Sequence, residues 1–165
     1  MSPDQFRTLA RYNRWANERL YTACAQAGQT ELAKERPSYF GSILATLNHI
    51  LVGDRLWMGR FEGEPCTDIV SLGQILHPDF EGLADERRTF DNRMVAFFDR
   101  FTGDLTREFR YRTMAGDETA SVTGWAFTHM FNHQTHHRGQ VHDMLSATPV
   151  EPPALDLIYF LREQA

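Results

Sequence analysis

The sequence has few of the features that would place a protein outside the cell or in a membrane. Its 165 residues include two cysteines, Cys24 and Cys66, which form no CxxC pair and lack the spacing of a disulfide framework. The two could pair with each other, but a reduced, cytoplasmic protein is the simpler expectation. No apolar run approaches the ~18 residues of a membrane-spanning helix, and residues 1–7 lack the apolar segment of a secretory signal.

Basic clusters, internal repeats and several catalytic motifs are also missing. The formal net charge is −5 without any block of Lys or Arg, which argues against a nucleic-acid partner. No repeat, low-complexity tract or long linker divides the chain, so we expect a single domain over residues 1–165. The sequence contains no HExxH glutamate, no Ser-His-Asp order and no phosphate-binding loop to support other chemistries.

Apolar residues instead recur every three or four positions in four long stretches, which predicts four helices. These span residues 3–27, 42–61, 83–101 and 123–145. Ser2 and Thr123 are expected N-caps, and Gly28 is expected to end the first helix. Arg87 lies at the edge of the third apolar stripe, where it could extend to solvent or face a ligand.

The segments between these helices follow other patterns. Residues 62–82 are rich in Gly, Pro and Asp, and such a long connection could cover a site or cross between helices; His77 in it is expected to be exposed. Residues 109–113 and 119–122 predict a β-hairpin, and Leu155, Ile158 and Leu161 predict a short terminal helix. The expected fold is all-α: an up-down-type four-helix bundle with a short β-hairpin before the last long helix and a short C-terminal helix.

Five of the seven histidines lie in the fourth predicted helix. His133 and His137 are four residues apart, where their rings project from one face and can share a metal ion. Both occupy the predicted inward stripe, where the ring nitrogens of two neutral histidines are difficult to supply with hydrogen-bond partners without such an ion. His129 and His136 flank that stripe and His142 points away from the core; for all three, a surface or supporting role is the simpler interpretation.

Two further polar residues have alternative interpretations. His49 lies off the bulky stripe of the second helix, so it is either a ligand or an ordinary core or cap histidine. Asn13 lies on the apolar seam of the first helix, where it is either a hydrogen-bonded core residue or a partner of a nearby site. Spacing alone does not decide between these alternatives.

Four stretches together resemble the DinB/YfiT-like metalloenzyme family. Residues 133–140 (HQTHHRGQ) are similar to its HxxxHRGQ signature, and residues 12–17 (YNRWAN) to its YNxWAN opening. Residues 47–50 (LNHI), followed by Asp54 and Trp57, resemble its second-helix motif, and residues 155–159 (LDLIY) resemble its closing segment. The resemblance covers nearly the whole chain in the right order.

The resemblance implies a four-helix bundle with a divalent metal ion held by His49, His133 and His137. It also implies a homodimer, and relatives that include bacillithiol transferases and a mycothiol-dependent isomerase. Asn13 and Asp54 are candidates for orienting the ligands. Arg138 is a candidate for an anion contact or a structural role, and His129 and His136 are candidates for supporting or substrate contacts.

The function we expect is a metal-dependent transferase that activates a low-molecular-weight thiol and acts on a small electrophile. Zinc and nickel both suit imidazole ligands. The alternatives are a metal-dependent hydrolase, a non-catalytic module that binds metal or a small ligand, and a purely structural role for the histidines. The expected partner is a small molecule, with no nucleic acid and no membrane.

Overall fold

The computed structural model describes residues 1–164. It confirms a mostly α-helical fold with a short antiparallel hairpin before the last long helix and a short C-terminal helix. The elements in chain order are α1 (Pro3–Ala33), α2 (Ile43–Glu62), α3 (Phe80–Arg100), β1 (Glu108–Arg112), β2 (Glu118–Val122), α4 (Thr123–Ser146) and α5 (Leu157–Glu163).

Helix α1 begins as its sequence predicts and is divided at Gly28 into two helical segments. The Ser2 side chain accepts a hydrogen bond from the Gln5 backbone N–H at 3.2 Å, and Pro3 occupies the first turn. Gly28 leaves helical geometry, with a φ of 77° and a ψ of 158°. The chain then resumes a helical turn to Ala33, which brings Leu32 into the core. The regular helix that begins at Pro3 therefore ends at Gly28, as predicted, and a second helical segment follows because Leu32 has apolar surface to bury.

Helix α2 runs through the centre of the molecule. The Ser42 side chain accepts from the Ala45 backbone N–H at 3.0 Å, and Gly63, in left-handed geometry, terminates the helix. Both its bulky stripe, with Leu47, and its small-residue side, with Gly53, are buried. A helix buried on two sides can pack on one and line a site with the other.

Helix α3 begins earlier than its apolar pattern predicts, because Asp79 caps it by accepting from the Gly82 backbone N–H at 2.7 Å. The prediction that Arg87 extends to solvent or faces a ligand is wrong. Arg87 is 2% exposed and pairs with Asp54 and Asp91.

The hairpin uses its inward side chains to pack on α2. Phe109 contacts Phe61 with ring centroids 5.7 Å apart, and Tyr111 contacts Trp57 at 5.4 Å. Two strands alone are barely stable in water, so these aromatic contacts hold the hairpin against the bundle.

Helix α4 follows the hairpin without a loop. Thr123 is its first helical residue rather than its cap, because its hydroxyl donates to the Arg107 carbonyl at 2.8 Å. Phe127 on α4 packs edge-on against Phe6 and Phe98, which joins it to α1 and α3. This packing fixes how α4 is rotated against its neighbours.

The structure also bears on the possible pairing of the two cysteines and on membrane-spanning helices. Cys24 and Cys66 are both free thiols, so they do not pair with each other. Across residues 1–164, none of the helices combines the length and the apolar character needed to cross a bilayer.

Candidate metal centre

Three imidazoles from two helices, α2 and α4, come together at one cavity. His49 on α2 places its Nε2 atom 3.1 Å from Nε2 of His133 and 3.2 Å from Nε2 of His137 on α4. Gly53 allows this approach, because a Cβ atom at that position would lie 2.8 Å from Cε1 of His133. The structure thus brings together the three histidines that the family resemblance implies as ligands.

The connection between α2 and α3 holds the ring of His49. Nδ1 of His49 lies 2.7 Å from the carbonyl oxygen of Leu72. Because a carbonyl only accepts hydrogen bonds, Nδ1 carries the proton and Nε2 of the neutral ring keeps its lone pair. Residues 62–82 therefore serve the site directly, which is one of the two roles that their composition suggests.

His137 is held in the same way from within its own helix. Its Nδ1 lies 2.7 Å from Oε1 of Gln140, so this ring also presents an unprotonated Nε2 to the centre. Gln140 belongs to the HRGQ segment, but reasoning from the residues gave it no role. The contact between Gln140 and His137 could have been predicted, because a side chain three positions after a histidine lies on the same helix face.

These two hydrogen bonds leave Nε2 lone pairs of His49 and His137 facing each other at 3.2 Å. No proton is available between two such neutral tautomers, so the arrangement favours a cation. Two nitrogens each ~2.05 Å from a tetrahedral ion lie about 3.3 Å apart, close to the separations observed. The donor set and its spacing fit a divalent metal ion.

The electrostatics also keep the rings ready to bind a metal. Burial lowers the pKa of His49 and of His137 below the usual value. Burial and the neighbouring His137 and His49 together lower the pKa of His133 to about 3. All three rings are therefore neutral at neutral pH, which is the form that coordinates metal.

The centre opens into a cavity of about 730 Å³. Phe40 stacks on the His49 ring with centroids 3.9 Å apart, and Tyr39 beside it is 89% exposed at the mouth. Among the described residues that line this cavity, no carboxylate is present. The lining consists of Tyr39, Phe40, His49, Leu72, Gly73, His133, His136, His137 and Gln140.

The other histidines of α4 occupy different environments. His136 is exposed at the cavity rim, with Nε2 3.3 Å from Nε2 of Gln140. His129 lies outside the cavity lining, packed against Trp57 with ring centroids 5.1 Å apart, and its centroid is 6.1 Å from that of His133. His142 is not part of the group. His136 is therefore the one of these three that can meet a ligand in the cavity.

The inward face of α4 differs from the predicted stripe. Gln134 and Arg138, each one residue after a histidine of the group, are 0% and 2% exposed and occupy the centre of the buried face. His133 and His137 lie at its edge and are partly exposed. The interpretation of both histidines as central core positions is wrong, because α4 is rotated to bury its amide and guanidinium groups.

Gln134 and Arg138 belong to a buried polar network across the bundle. Gln134 donates from Nε2 to Oδ2 of Asp54 at 2.6 Å and accepts from Nη1 of Arg138 at 3.1 Å. Asp54 also pairs with Arg87, whose Nη2 lies 2.8 Å from Oδ1 of Asp91. Burial raises the pKa of Asp54 to about 6, against the opposing effect of the Arg87 guanidinium.

The network includes three residues considered for the site from sequence. Asn13 donates from Nδ2 to Oδ1 of Asp91 at 3.3 Å and accepts from Arg138. In the described part of the chain, Asn13, Asp54 and Arg138 make no hydrogen bond to the three imidazoles. All three polar residues are buried, and Arg138 donates hydrogen bonds to the side chains of Asn13, Asn17 and Gln134.

Comparison with known proteins agrees with the motifs. The model of the DinB family matches residues 1–164. Protein DinB of Bacillus subtilis (strain 168) is 24% identical to this chain over 142 residues, which are 83% of this chain and 82% of that protein.

Proposed function

This chain belongs to the DinB family, and we propose that its three-histidine centre binds a divalent metal ion and catalyses transfer of a low-molecular-weight thiol to small electrophiles. One observation carries the proposal. Nε2 of His49 lies 3.1 and 3.2 Å from the Nε2 atoms of His133 and His137. The Leu72 carbonyl and Gln140 hold two of these rings in the tautomer that points a lone pair inward.

The ligand set suits zinc or nickel, because both prefer imidazole nitrogen. A bound ion of either kind supplies Lewis acidity that lowers the pKa of a thiol toward neutrality. Three protein ligands leave coordination positions open on the cavity side, as catalytic sites require.

The residues of the cavity support thiol transfer in particular. Phe40 and Leu72 give the cavity apolar surface beside the imidazoles, which suits an uncharged electrophile. In the reaction, the thiol sulfur forms a bond to carbon and the leaving group departs with its electron pair. The thiol proton passes to solvent.

Water is the harder nucleophile to prepare, since free water ionises with a pKa of about 15.7. A thiol needs less help, because its reference pKa of ~8.5 is already near neutral. Metal-dependent hydrolysis and metal binding without turnover are the outcomes against which the proposal is tested.

The test begins with elemental analysis of protein purified without a metal-affinity column. Metal-loaded and metal-free protein are then incubated with monochlorobimane and, separately, bacillithiol, mycothiol, glutathione or cysteine. We expect about one zinc or nickel ion per chain, and conjugation by the loaded protein well above the metal-free control with at least one thiol. If the protein contains metal but conjugates none of the thiols, the transferase proposal is wrong. If the protein contains no stoichiometric metal, the metal centre itself is wrong.

A further inference from the structure

A second cavity, of about 560 Å³, lies between the C-terminal end of α2 and the hairpin. It shares no lining residue with the cavity of the histidine centre. Its size is within the ordinary range for small-molecule sites. The lining consists of Leu56, Arg60, Gly63, Pro65, Cys66, Arg110, Tyr111, Arg112, Thr113, Met114 and Glu118.

The charge of this lining is unusual for the chain. Three arginines and one glutamate line the cavity, although the chain as a whole carries a net charge of −5. Glu118 is paired with Arg112 at 2.7 Å, which leaves the charges of Arg60 and Arg110 uncompensated. The burial of Cys66 raises the pKa of its thiol, so that group adds no negative charge at neutral pH.

Arg60 packs against two aromatic rings. Its guanidinium carbon lies 4.7 Å from the ring centroid of Trp57 and 4.8 Å from that of Tyr111, and these two rings contact each other with centroids 5.4 Å apart. The guanidinium therefore lies against one side of the ring pair. Glu62, the acidic residue closest to it in sequence, is paired with Arg93. Within residues 1–164, neither Arg60 nor Arg110 forms an ion pair with a carboxylate.

A partly buried guanidinium that packs on aromatic rings and lacks a counter-ion can bind an anion. Its planar N–H donors match the oxygens of a carboxylate or a phosphate. Leu56, Pro65 and Met114 provide apolar surface in the same cavity. We propose that this cavity binds a small organic oxyanion whose charged group contacts Arg60 and whose apolar body packs on these residues. The exposed Arg110, on the other face of β1, adds a longer-range attraction for the anion.

The experiment is an NMR titration of the Nε–H resonances of the arginines in the full chain. The probes are phenylacetate, phenyl phosphate and the uncharged analogue phenylacetamide. We expect a saturable shift of the Arg60 resonance with at least one of the anions, and binding of phenylacetamide weaker by about tenfold or more. The anion that binds more tightly identifies the head group. No saturable shift with either anion, or equal binding of the amide, overturns the proposal.

Two variants and a control locate the binding. Arg60→Met keeps an apolar stem against the rings and is expected to weaken anion binding by about tenfold or more. Arg110→Met changes an exposed side chain, so it should fold normally, and is expected to weaken binding by about threefold. Arg88→Met, on the exposed face of α3, is the matched control and should leave binding unchanged. If Arg60→Met and Arg110→Met both bind the anion as tightly as the original chain does, the proposed site is wrong. Both variants should retain their metal, so this result is independent of the histidine centre.

Discussion

Consecutive residues of α4 enter two very different environments. His133 and His137 are partly exposed, neutral and turned toward an open cavity, whereas Gln134 and Arg138 are buried in a network with Asp54 and other core groups. The histidines avoid the free-energy cost of burying a charge by remaining uncharged. The network contains charged groups and offsets that cost by pairing opposite charges. The comparison shows that the network secures the rotation of the helix, while the histidines use that rotation to face a ligand.

The largest effect should follow from breaking the network. Asp54→Asn removes one charge from the buried pair with Arg87 while preserving side-chain size. We expect the free energy of unfolding of the metal-free protein to fall by about 3–5 kcal/mol, because the guanidinium is left under-compensated in the core. Urea denaturation at pH 7.5 measures this free energy of unfolding. Asp85→Asn, in the exposed pair with Arg88, is the control, and a loss similar to that control would refute the role of the network.

The next effect concerns the ligands themselves. His133→Ala should reduce metal affinity by about a hundredfold or more, because it removes one of three donors, and should change the stability of the metal-free protein little at neutral pH. His142→Ala, which leaves the group intact, should bind metal normally. Competition with a chromogenic chelator gives the affinities. Equal affinities in the two variants would contradict the assignment of the centre.

Two glycines offer a matched test of the space around His133. A Cβ at Gly53 would lie 2.8 Å from Cε1 of His133, whereas a Cβ at Gly139 would have no neighbour within 4 Å. Gly53→Ala should therefore displace the ring and weaken metal binding by about tenfold. Gly139→Ala should leave metal binding unchanged and raise stability by about 0.5–1 kcal/mol through helix propensity. Similar metal affinity in the two variants would show that Gly53 does not position the ring.

The smallest effect is a pH dependence of the metal-free protein. The pKa of His133 is lowered to about 3, so below about pH 6.5 the unfolded chain takes up a proton that the folded chain does not. Stability is therefore lost as the pH falls below that value. Allowing for partial exposure, we expect the original chain to lose about 1 kcal/mol more between pH 7 and pH 5 than His133→Ala loses. Parallel pH slopes for the two proteins would place His133 in a more solvated environment.

Much of the fold could be predicted from local patterns. The helices, the hairpin and the Ser2 cap follow from apolar period, Pro and Gly positions and hydroxyl side chains close in sequence. Boundaries were less predictable where a distant contact decided them, as with Leu32 beyond Gly28 and the Arg107 carbonyl that engages Thr123. The homodimer and the cytoplasmic location stay predictions.

The candidate site divides in the same way. The sequence by itself determined that His133 and His137 share a helix face, because four residues make about one helical turn. Only the tertiary structure decided that His49, 84 residues before His133, faces them and that the Leu72 carbonyl orients its ring. Spacing defines the relative directions of side chains within a helix, but not the rotation of that helix about its axis. That rotation is set by packing, here by the burial of Gln134 and Arg138 against Asp54 and Asn13.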